Sequence, residues 1–157
     1  MSNALEQPQT GMHRDYHSRN LFRIDNQVGI IDFQDSAIGP ITYDLVSLIR
    51  DCYISWPEAR VAKWLEYFYE LLQFRHKHHG ASFSTIERWF DWMGLQRHLK
   101  AIFIFARKYH RDGNPNYLPD INRGLNYVTL VIDRYPELAP FKRLMQEVMQ
   151  RYQEIAL

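Results

Sequence analysis

The sequence predicts a mainly α-helical domain that carries one small β-hairpin near its N-terminus. Apolar residues recur at helical spacing through almost the whole chain after Pro40. Before Pro40, two short apolar runs, Leu21–Ile24 and Val28–Ile31, flank the polar residues 25–27, which is the pattern of a hairpin. The chain has 157 residues, 46% of them hydrophobic, which is enough for one domain with a core of its own.

The composition excludes several classes of protein. The chain has 19 Lys and Arg against 18 Asp and Glu, a formal charge of +1, so we do not expect a nucleic-acid partner. No window approaches the roughly 18 apolar residues of a membrane span, and no signal peptide opens the chain, so we expect no membrane partner and a cytoplasmic protein. The single cysteine, Cys52, can form neither an internal disulfide nor a thiolate zinc cluster.

Five or six helices are predicted after the hairpin. Ser55 and Glu58 have the spacing of a capping box, which predicts a helix start. Ser84 and Glu87 repeat that spacing, and Gly94 marks a bend or break in the helical stretch that follows. The apolar stripes cover residues 45–53, 61–72, 84–112, 121–135 and 141–152.

Polar residues with little periodicity surround the predicted hairpin. Asn20 directly precedes its first strand and Asp32 directly follows its second, so antiparallel pairing brings both side chains to the same open end. Amide and carboxylate oxygens suit Mg²⁺, which takes few protein ligands and fills its other positions with water and phosphate. Asp15 lies five residues before Asn20, where a base could deprotonate an attacking hydroxyl.

The order of these residues is that of a kinase catalytic loop: H-R-D, four residues, N, and then D-F-x one hairpin later. A more specific resemblance is to the aminoglycoside phosphotransferase family, small-molecule kinases with a protein-kinase-like fold, in the segment IDFQDSAIGPITYDLVSL. Three segments resemble the members of this family that phosphorylate N-acetylated amino sugars at the anomeric hydroxyl in bacterial cell-wall recycling: HRDYHSRNL, YDLVSLIRDCYISWP and MGLQRHLKAIFIFARKYHRDG. The resemblance runs from about His13 to Leu138. His13-Arg14-Asp15 departs from the H-G-D of aminoglycoside kinases, which argues against an antibiotic substrate.

The resemblance implies that the chain is the helical C-terminal lobe of a protein-kinase-like phosphotransferase. It implies that Asp15 is the base and that Asn20 and Asp32 bind Mg²⁺, with Asp35 as a further candidate ligand. ATP would be the phosphoryl donor and an amino sugar the acceptor.

Further residues receive supporting or binding roles from the same resemblance. His13 would support the catalytic loop, and Asp44 would tie the following helix to the loop backbone. In the segment most like the sugar kinases, candidates for contact with sugar or phosphate are Arg97, His98, Arg107, His110 and Arg111. A solvated or salt-bridged helix face is the alternative interpretation of these five residues.

Two other functions stay open at this point. In a metal-dependent phosphohydrolase, His13, Asp15, His17 and Asp32 would be the metal ligands, as the pattern H-x-D-x-H allows, but Asn20 would have no part. Alternatively, the chain would be a noncatalytic helical module that binds another protein.

The domain organisation follows from the same resemblance. We expect residues 1–12 to be a leader or residues added for expression, 13–40 to hold the catalytic loop, hairpin and metal-binding segment, and 41–157 to form the helical bundle. The segment 1–12 has no lysine and no strand pattern, so we expect the nucleotide-binding N-terminal lobe to be absent from this chain. The chain alone would then be inactive, and we expect it to self-associate through the face such a lobe would cover.

Overall fold

The computed structural model describes residues 2–77 and 79–155. Across these residues the mainly α prediction is confirmed, with two small antiparallel sheets of two strands each. The chain divides into two compact units, Met1–Arg97 and His98–Leu157.

The first unit contains the polar loop and both sheets. Its elements are α1 (Ser2–Glu6), β1 (Gln9–Met12), β2 (Leu21–Ile24), β3 (Gln27–Ile30), β4 (Ala37–Pro40), α2 (Tyr43–Ile49), α3 (Glu58–Phe74) and the first part of α4 (Phe83–Asp112). The second unit holds the rest of α4, α5 (Leu118–Arg134) and α6 (Ala139–Ile155). Short 3₁₀ turns lie at Ser18–Asn20, Pro115–Tyr117 and Pro136–Leu138.

The described residues 2–12, which we expect to be a leader or residues added for expression, are part of the first unit. They form α1 and β1, and β1 pairs antiparallel with β4 so that Thr10 lies opposite Gly39. The Gln7 side chain is buried, and its Oε1 accepts a hydrogen bond of 2.7 Å from Thr42 Oγ1. Apolar and polar residues do not alternate in β1, so no local pattern predicts this strand. It is a strand because it pairs with β4, which begins 25 residues after the end of β1.

The predicted hairpin is confirmed. Strands β2 and β3 pair antiparallel, with Leu21 opposite Ile30 and Ile24 opposite Gln27. The connecting turn has two residues, Asp25 and Asn26, and Asp25 has a left-handed φ of 54°. The second strand therefore begins one residue earlier than predicted, at Gln27, because a two-residue turn matches the twist of the paired strands.

The two predicted capping boxes do not form. Helix α3 begins at Glu58 after Pro57 and has no side-chain cap, so Ser55 lies outside it. Helix α4 begins at Phe83, and Ser82 Oγ accepts from Thr85 N at 3.2 Å, which makes Ser82 the cap in place of Ser84. Neither pair has the N-cap and N3 positions that the reciprocal bonds require.

No break occurs near Gly94, because α4 is one helix of 30 residues. A glycine inside a helix costs about 1 kcal/mol relative to alanine, an amount that packing of the neighbouring residues exceeds.

Helices α2, α3 and α4 supply the core of the first unit. Its buried apolar residues are Val46, Ile49, Val61, Leu65, Leu72, Ile86, Trp89, Phe90 and Met93. In the second unit, the buried apolar residues include Phe105, Ile121, Leu125, Val128, Val131, Ile132 and Met145. Among the described helices, none is both long and apolar enough to span a membrane.

Candidate functional site

The polar loop, residues 13–20, runs from β1 to β2, and its start is bound to helix α2. Asp44, in the first turn of α2, accepts hydrogen bonds from the backbone N–H of His13 at 2.5 Å and of Arg14 at 3.1 Å. A carboxylate at the N-terminus of a helix is stabilised by the helix dipole. These are the bonds that a carboxylate tying this helix to the loop would make.

The His13 ring bridges the loop and the chain that leaves the hairpin. Its Nδ1 accepts from the backbone N–H of Asp15 at 3.3 Å, and its Nε2 lies 2.9 Å from the carbonyl oxygen of Ile31. Because a backbone N–H can only donate, Nδ1 is the accepting nitrogen, and Nε2 carries the proton that it donates to Ile31. The ring therefore links the backbone of Asp15 to the backbone of Ile31, the residue that precedes Asp32.

The Asp15 carboxylate is exposed. Its backbone carbonyl accepts from His17 N at 3.0 Å and from Asn20 Nδ2 at 3.0 Å. The described residues offer the carboxylate itself no hydrogen-bond donor, so the loop backbone is held while both carboxylate oxygens face solvent or a ligand.

Asn20 and Asp32 lie together at the open end of the hairpin, where the sequence predicts them. The ladder continues one step past β2 and β3, through a bond of 3.2 Å from Ile31 N to Asn20 O. Asn20 Nδ2 lies 3.4 Å from Asp32 Oδ2, and Gln34 Nε2 donates to Asp32 Oδ1 at 2.7 Å. Two side-chain amides thus orient the Asp32 carboxylate.

The oxygens of Asn20 and Asp32 fit Mg²⁺. Asn20 uses its Nδ2 for the contacts with Asp15 and Asp32, so its Oδ1 accepts no hydrogen bond among the described residues. One amide oxygen and one carboxylate are hard donors, and Mg²⁺ commonly uses one or two protein ligands of this kind. The pair could hold the ion by itself, with water and phosphate oxygens completing the shell.

The ligand set of the phosphohydrolase alternative is not brought together. In the described part of the chain, no three His, Cys, Asp or Glu side chains are grouped as a metal would require. The His13 ring is engaged with Asp15 and Ile31, and the His17 ring lies edge-on to Tyr53 at 5.3 Å.

Among the described residues, Asp35 contacts this site through its backbone. Its carbonyl accepts from Arg14 Nη1 at 3.2 Å, and it does not group with Asp15 and Asp32 as a third metal ligand.

Arg97 also contacts Arg14, since its Nη1 donates to the Arg14 carbonyl at 3.2 Å. The Arg97 guanidinium also lies over the Tyr43 ring, 4.1 Å from its centroid. Arg97 therefore contacts the loop beside Asp15, and its predicted contact with substrate stays a prediction.

The other candidates for substrate contact lie in the second unit. His98 is 1% exposed and its ring lies 4.6 Å from that of Tyr127, so it is buried among core residues, and its contact with sugar or phosphate stays a prediction. The remaining candidates are exposed on α4: Arg107, His110 and Arg111. Arg111 Nε bonds to Asp112 Oδ1 at 2.6 Å, and this bond raises the pKa of Arg111 and lowers the pKa of Asp112.

A cavity of about 410 Å³ lies beside β1, β4 and α3, and its lining includes Tyr16 and Asp44. Its lining does not include Asp15, Asn20 or Asp32, and most of it is apolar. The candidate active site is therefore the open end of the hairpin, an exposed surface, and this cavity lies elsewhere on the first unit.

Asp51 is a residue of the site that the sequence patterns do not reveal. It is 1% exposed and follows the C-terminus of α2. Its Oδ2 accepts from Ser18 N at 2.8 Å and its Oδ1 from Tyr53 N at 2.7 Å. No local pattern could have identified it, because Ser18 reaches Asp51 only through the fold, 33 residues away along the chain.

A family model described as the phosphotransferase enzyme family matches residues 2–83. The chain is 45% identical over 148 residues to an N-acetylmuramate/N-acetylglucosamine kinase of Pseudomonas putida, an alignment that covers 94% of this chain and 44% of that protein. The kinase of the same name from Neisseria meningitidis is 46% identical over 145 residues, which are 92% of this chain and 43% of that protein. A more distant kinase of this name, from Caulobacter vibrioides, is 30% identical over 116 residues, 71% of this chain and 30% of that protein. The chain thus spans less than half the length of these relatives.

Proposed function

Because the chain belongs to the phosphotransferase enzyme family, we propose that it carries the catalytic loop of a kinase that phosphorylates N-acetylated amino sugars. The donor would be ATP and the acceptor the anomeric hydroxyl of the sugar. Relatives that align with more than nine-tenths of the chain are named N-acetylmuramate/N-acetylglucosamine kinases, which supports this class of acceptor. Because ATP is the donor, we expect the protein to act in the cytoplasm.

One side chain carries the argument from geometry. The Asn20 amide donates to the backbone of Asp15, the proposed base, and also contacts Asp32, the proposed metal ligand. It therefore joins the two halves of a phosphoryl-transfer site across the hairpin. Such a link keeps the proposed base beside the proposed metal ligand, which is the arrangement that phosphoryl transfer requires and which supports a kinase over a noncatalytic binding module.

Asp15 is the base in this proposal. Its exposed carboxylate accepts the proton of the anomeric hydroxyl while the sugar oxygen forms a bond to the γ-phosphorus, and the bond from that phosphorus to the β-phosphate oxygen breaks to release ADP. Proton acceptance by a positioned base contributes roughly 10²–10⁴ in rate.

Asn20 and Asp32 would hold Mg²⁺, which neutralises phosphate charge when it is bound. Asn20 offers Oδ1 because its Nδ2 is engaged, and the amide of Gln34 keeps the Asp32 carboxylate oriented. In a crystal soaked with nucleotide and Mn²⁺, we expect the ion about 2.0–2.3 Å from an oxygen of each residue. An ion between His13 and His17 would favour the phosphohydrolase alternative instead.

The decisive experiment is an ATP-consumption assay on the protein encoded by the whole reading frame that contains this chain. We expect phosphorylation of N-acetylglucosamine or N-acetylmuramate, and no turnover of choline or an aminoglycoside. Asp15→Asn should lower kcat by roughly 10²–10⁴ while sugar binding persists, because the variant loses the base and keeps the loop. Asp25→Asn is the matched control, since Asp25 lies at the exposed tip of the hairpin.

The outcomes separate the parts of the proposal. Turnover of aminoglycosides or choline alone would refute the acceptor class, and full activity of Asp15→Asn would refute the base. We expect no measurable turnover from the 157 residues by themselves, because the kinases that they resemble are more than twice as long. A rate of about 1–100 s⁻¹, typical of kinases, would contradict that expectation.

A further inference from the structure

We propose that Asp51 is a positioning residue for the metal-binding end of the polar loop. Its buried carboxylate holds the turn Ser18–Asn20 so that the Asn20 amide stays against Asp32. The inference rests on the proposed function, because it concerns the same Mg²⁺ site. Nothing in the motif H-R-D-x-x-x-x-N assigns a role to this position, which lies outside the motif and beyond the hairpin.

The contacts of Asp51 fix its carboxylate in place. Both oxygens accept a backbone N–H, from Ser18 at 2.8 Å and from Tyr53 at 2.7 Å, and the residue is 1% exposed. A buried carboxylate is costly unless hydrogen bonds compensate for the lost water. Two short bonds to backbone groups leave it little freedom to move, so it can act as a fixed point for the chain that it binds.

The bond to Ser18 acts on Asn20 through one short turn. Ser18 is the first residue of the 3₁₀ turn Ser18–Asn20, and the His17 side chain that precedes the turn does not cap it. The first N–H groups of a helical turn lack internal acceptors, and Asp51 supplies the one that Ser18 needs. The turn then closes with a bond of 2.9 Å from Asn20 N to His17 O.

The second oxygen of Asp51 holds a stacking platform for the same stretch of loop. It accepts from the backbone N–H of Tyr53, and the centroid of the Tyr53 ring lies 3.6 Å from the Arg19 guanidinium carbon. The ring of His17 meets Tyr53 edge-on, with 5.3 Å between centroids. Three consecutive loop residues, 17–19, thus rest on Asp51 or on the residue that it positions.

The two anchors of the loop lie at opposite ends of helix α2. Asp44 in its first turn binds the start of the loop, and Asp51, just beyond its C-terminus, binds the end that bears Asn20. The core packing of Val46 and Ile49 keeps this helix in place. The start of the loop is therefore held by the helix, and its end is held by a residue two positions beyond the helix.

The test follows the Asn20 side-chain amide by NMR while Mn²⁺ is added. Mn²⁺ bound at Asn20 broadens the signals of its Nδ2 hydrogens, and we expect Asp51→Asn to need about 10-fold more Mn²⁺ for the same broadening. Asparagine has only one side-chain oxygen for two N–H groups, so the amide of Ser18 or that of Tyr53 should also exchange faster with solvent. Asp25→Asn is the matched control and should behave as the unaltered protein.

A second variant keeps the test decisive if Asp51→Asn does not fold. Asp51→Glu keeps the buried charge and both acceptor oxygens, so the folded chain loses no hydrogen-bond acceptor. It moves the carboxylate by one methylene group, so the Ser18 N–H is no longer held at 2.8 Å in the same place. We expect the same 10-fold shift in the Mn²⁺ requirement.

Activity gives a readout that a merely structural role would not move. In the protein from the whole reading frame, Asp51→Asn should raise the Mg²⁺ concentration for half-maximal rate about 10-fold and leave the KM for the sugar unchanged. An unaltered Mn²⁺ dependence in a folded variant overturns the inference alone. Absence of broadening at Asn20 in the unaltered protein overturns the metal assignment and the inference together.

Discussion

At the scale of single residues, the site depends on left-handed backbone that residues other than glycine seldom adopt. Arg14 has a φ of 79° and Asp32 a φ of 66°. Conformations of this kind cost about 1–3 kcal/mol and persist only where the surroundings enforce them. The backbone of Arg14 is held by Asp44 and Arg97, and the carboxylate of Asp32 is held by Asn20 and Gln34.

The variant Arg14→Gly tests the role of the Arg14 side chain separately from the role of its backbone conformation. Glycine adopts a φ of 79° without strain and keeps the bonds to Asp44 and Arg97, so we expect the free energy of unfolding to change by less than about 1 kcal/mol. Activity should fall, because the bond from the guanidinium to the Asp35 carbonyl is lost. Urea denaturation and the kinase assay measure the two effects, and a large loss of stability would show that the side chain supports the fold.

At the scale of elements, the start of α4 shows how little a short motif determines. Ser84 and Glu87 have the capping-box spacing, yet the helix begins at Phe83 and Ser82 is the cap. Ser82 Oγ also lies 2.9 Å from Thr85 Oγ1. The start of the helix therefore depends on which serine accepts from the free N–H groups of the first turn. Both Ser82 and Ser84 are candidates for that position, and the capping-box spacing does not decide between them.

Alanine substitutions distinguish the two possible caps of α4. Ser82→Ala should lower the free energy of unfolding by about 0.5–2 kcal/mol, since it removes the acceptor for Thr85 N. Ser84→Ala, two residues later, is the matched control: it removes the 2.8 Å contact between the Ser84 and Ser82 hydroxyls but keeps the acceptor for Thr85 N, so it should cost less. Chemical denaturation of both variants measures this free energy. A larger decrease in unfolding free energy for Ser84→Ala would favour the capping box that the sequence predicts.

Tyr152 links α6 to the start of α5 and makes the second unit sensitive to alkaline pH. Its hydroxyl donates to the Leu118 carbonyl at 3.4 Å, and burial raises the pKa of Tyr152 above its ordinary value. Because the folded state prefers the neutral phenol, the contribution of Tyr152 to stability is complete below about pH 10 and is lost as the pH rises further.

The pH effect of Tyr152 appears as a difference between two proteins. We expect the gap in unfolding free energy between the unaltered chain and Tyr152→Phe to shrink as the pH rises above about 10. The subtraction removes the other tyrosines and lysines that titrate in the same range. A gap that widens with pH would mean that the folded state stabilises the phenolate.

At the scale of the whole molecule, large apolar side chains are exposed around the hairpin and the segment that follows it. Ile24 is 60% exposed, Val28 66%, Phe33 64% and Ile38 72%. Apolar surface of this kind favours association. We expect the 157-residue chain to self-associate, and light scattering as a function of concentration measures it.

A double variant, Ile24→Lys with Val28→Lys, should shift the chain toward the monomer. Both positions are exposed on the hairpin, so charge there costs little folding energy and opposes contact between copies. Phe74→Lys is the control, since Phe74 is 78% exposed at the end of α3. Equal self-association of the double variant and the unaltered chain would show that the hairpin is not part of the interface between copies.

Local patterns in the amino-acid sequence are sufficient for the helical class, the hairpin and the meeting of Asn20 with Asp32. All three follow from local periodicity and from the rule that antiparallel strands bring their outer ends together. The kinase-like spacing of Asp15, Asn20 and Asp32 is likewise a property of the sequence alone. The resemblance to kinases adds the roles suggested for Asp44 and His13.

Contacts between residues far apart in the chain depend instead on the tertiary structure. It pairs β1 with β4, buries His98 against Tyr127 and brings Asp51 to Ser18 across 33 residues. Each of these contacts depends on two segments that are distant in the sequence, so the local sequence of either segment does not predict it. A carboxylate such as Asp51 looks like any surface aspartate until the fold supplies the N–H groups that make its burial favourable.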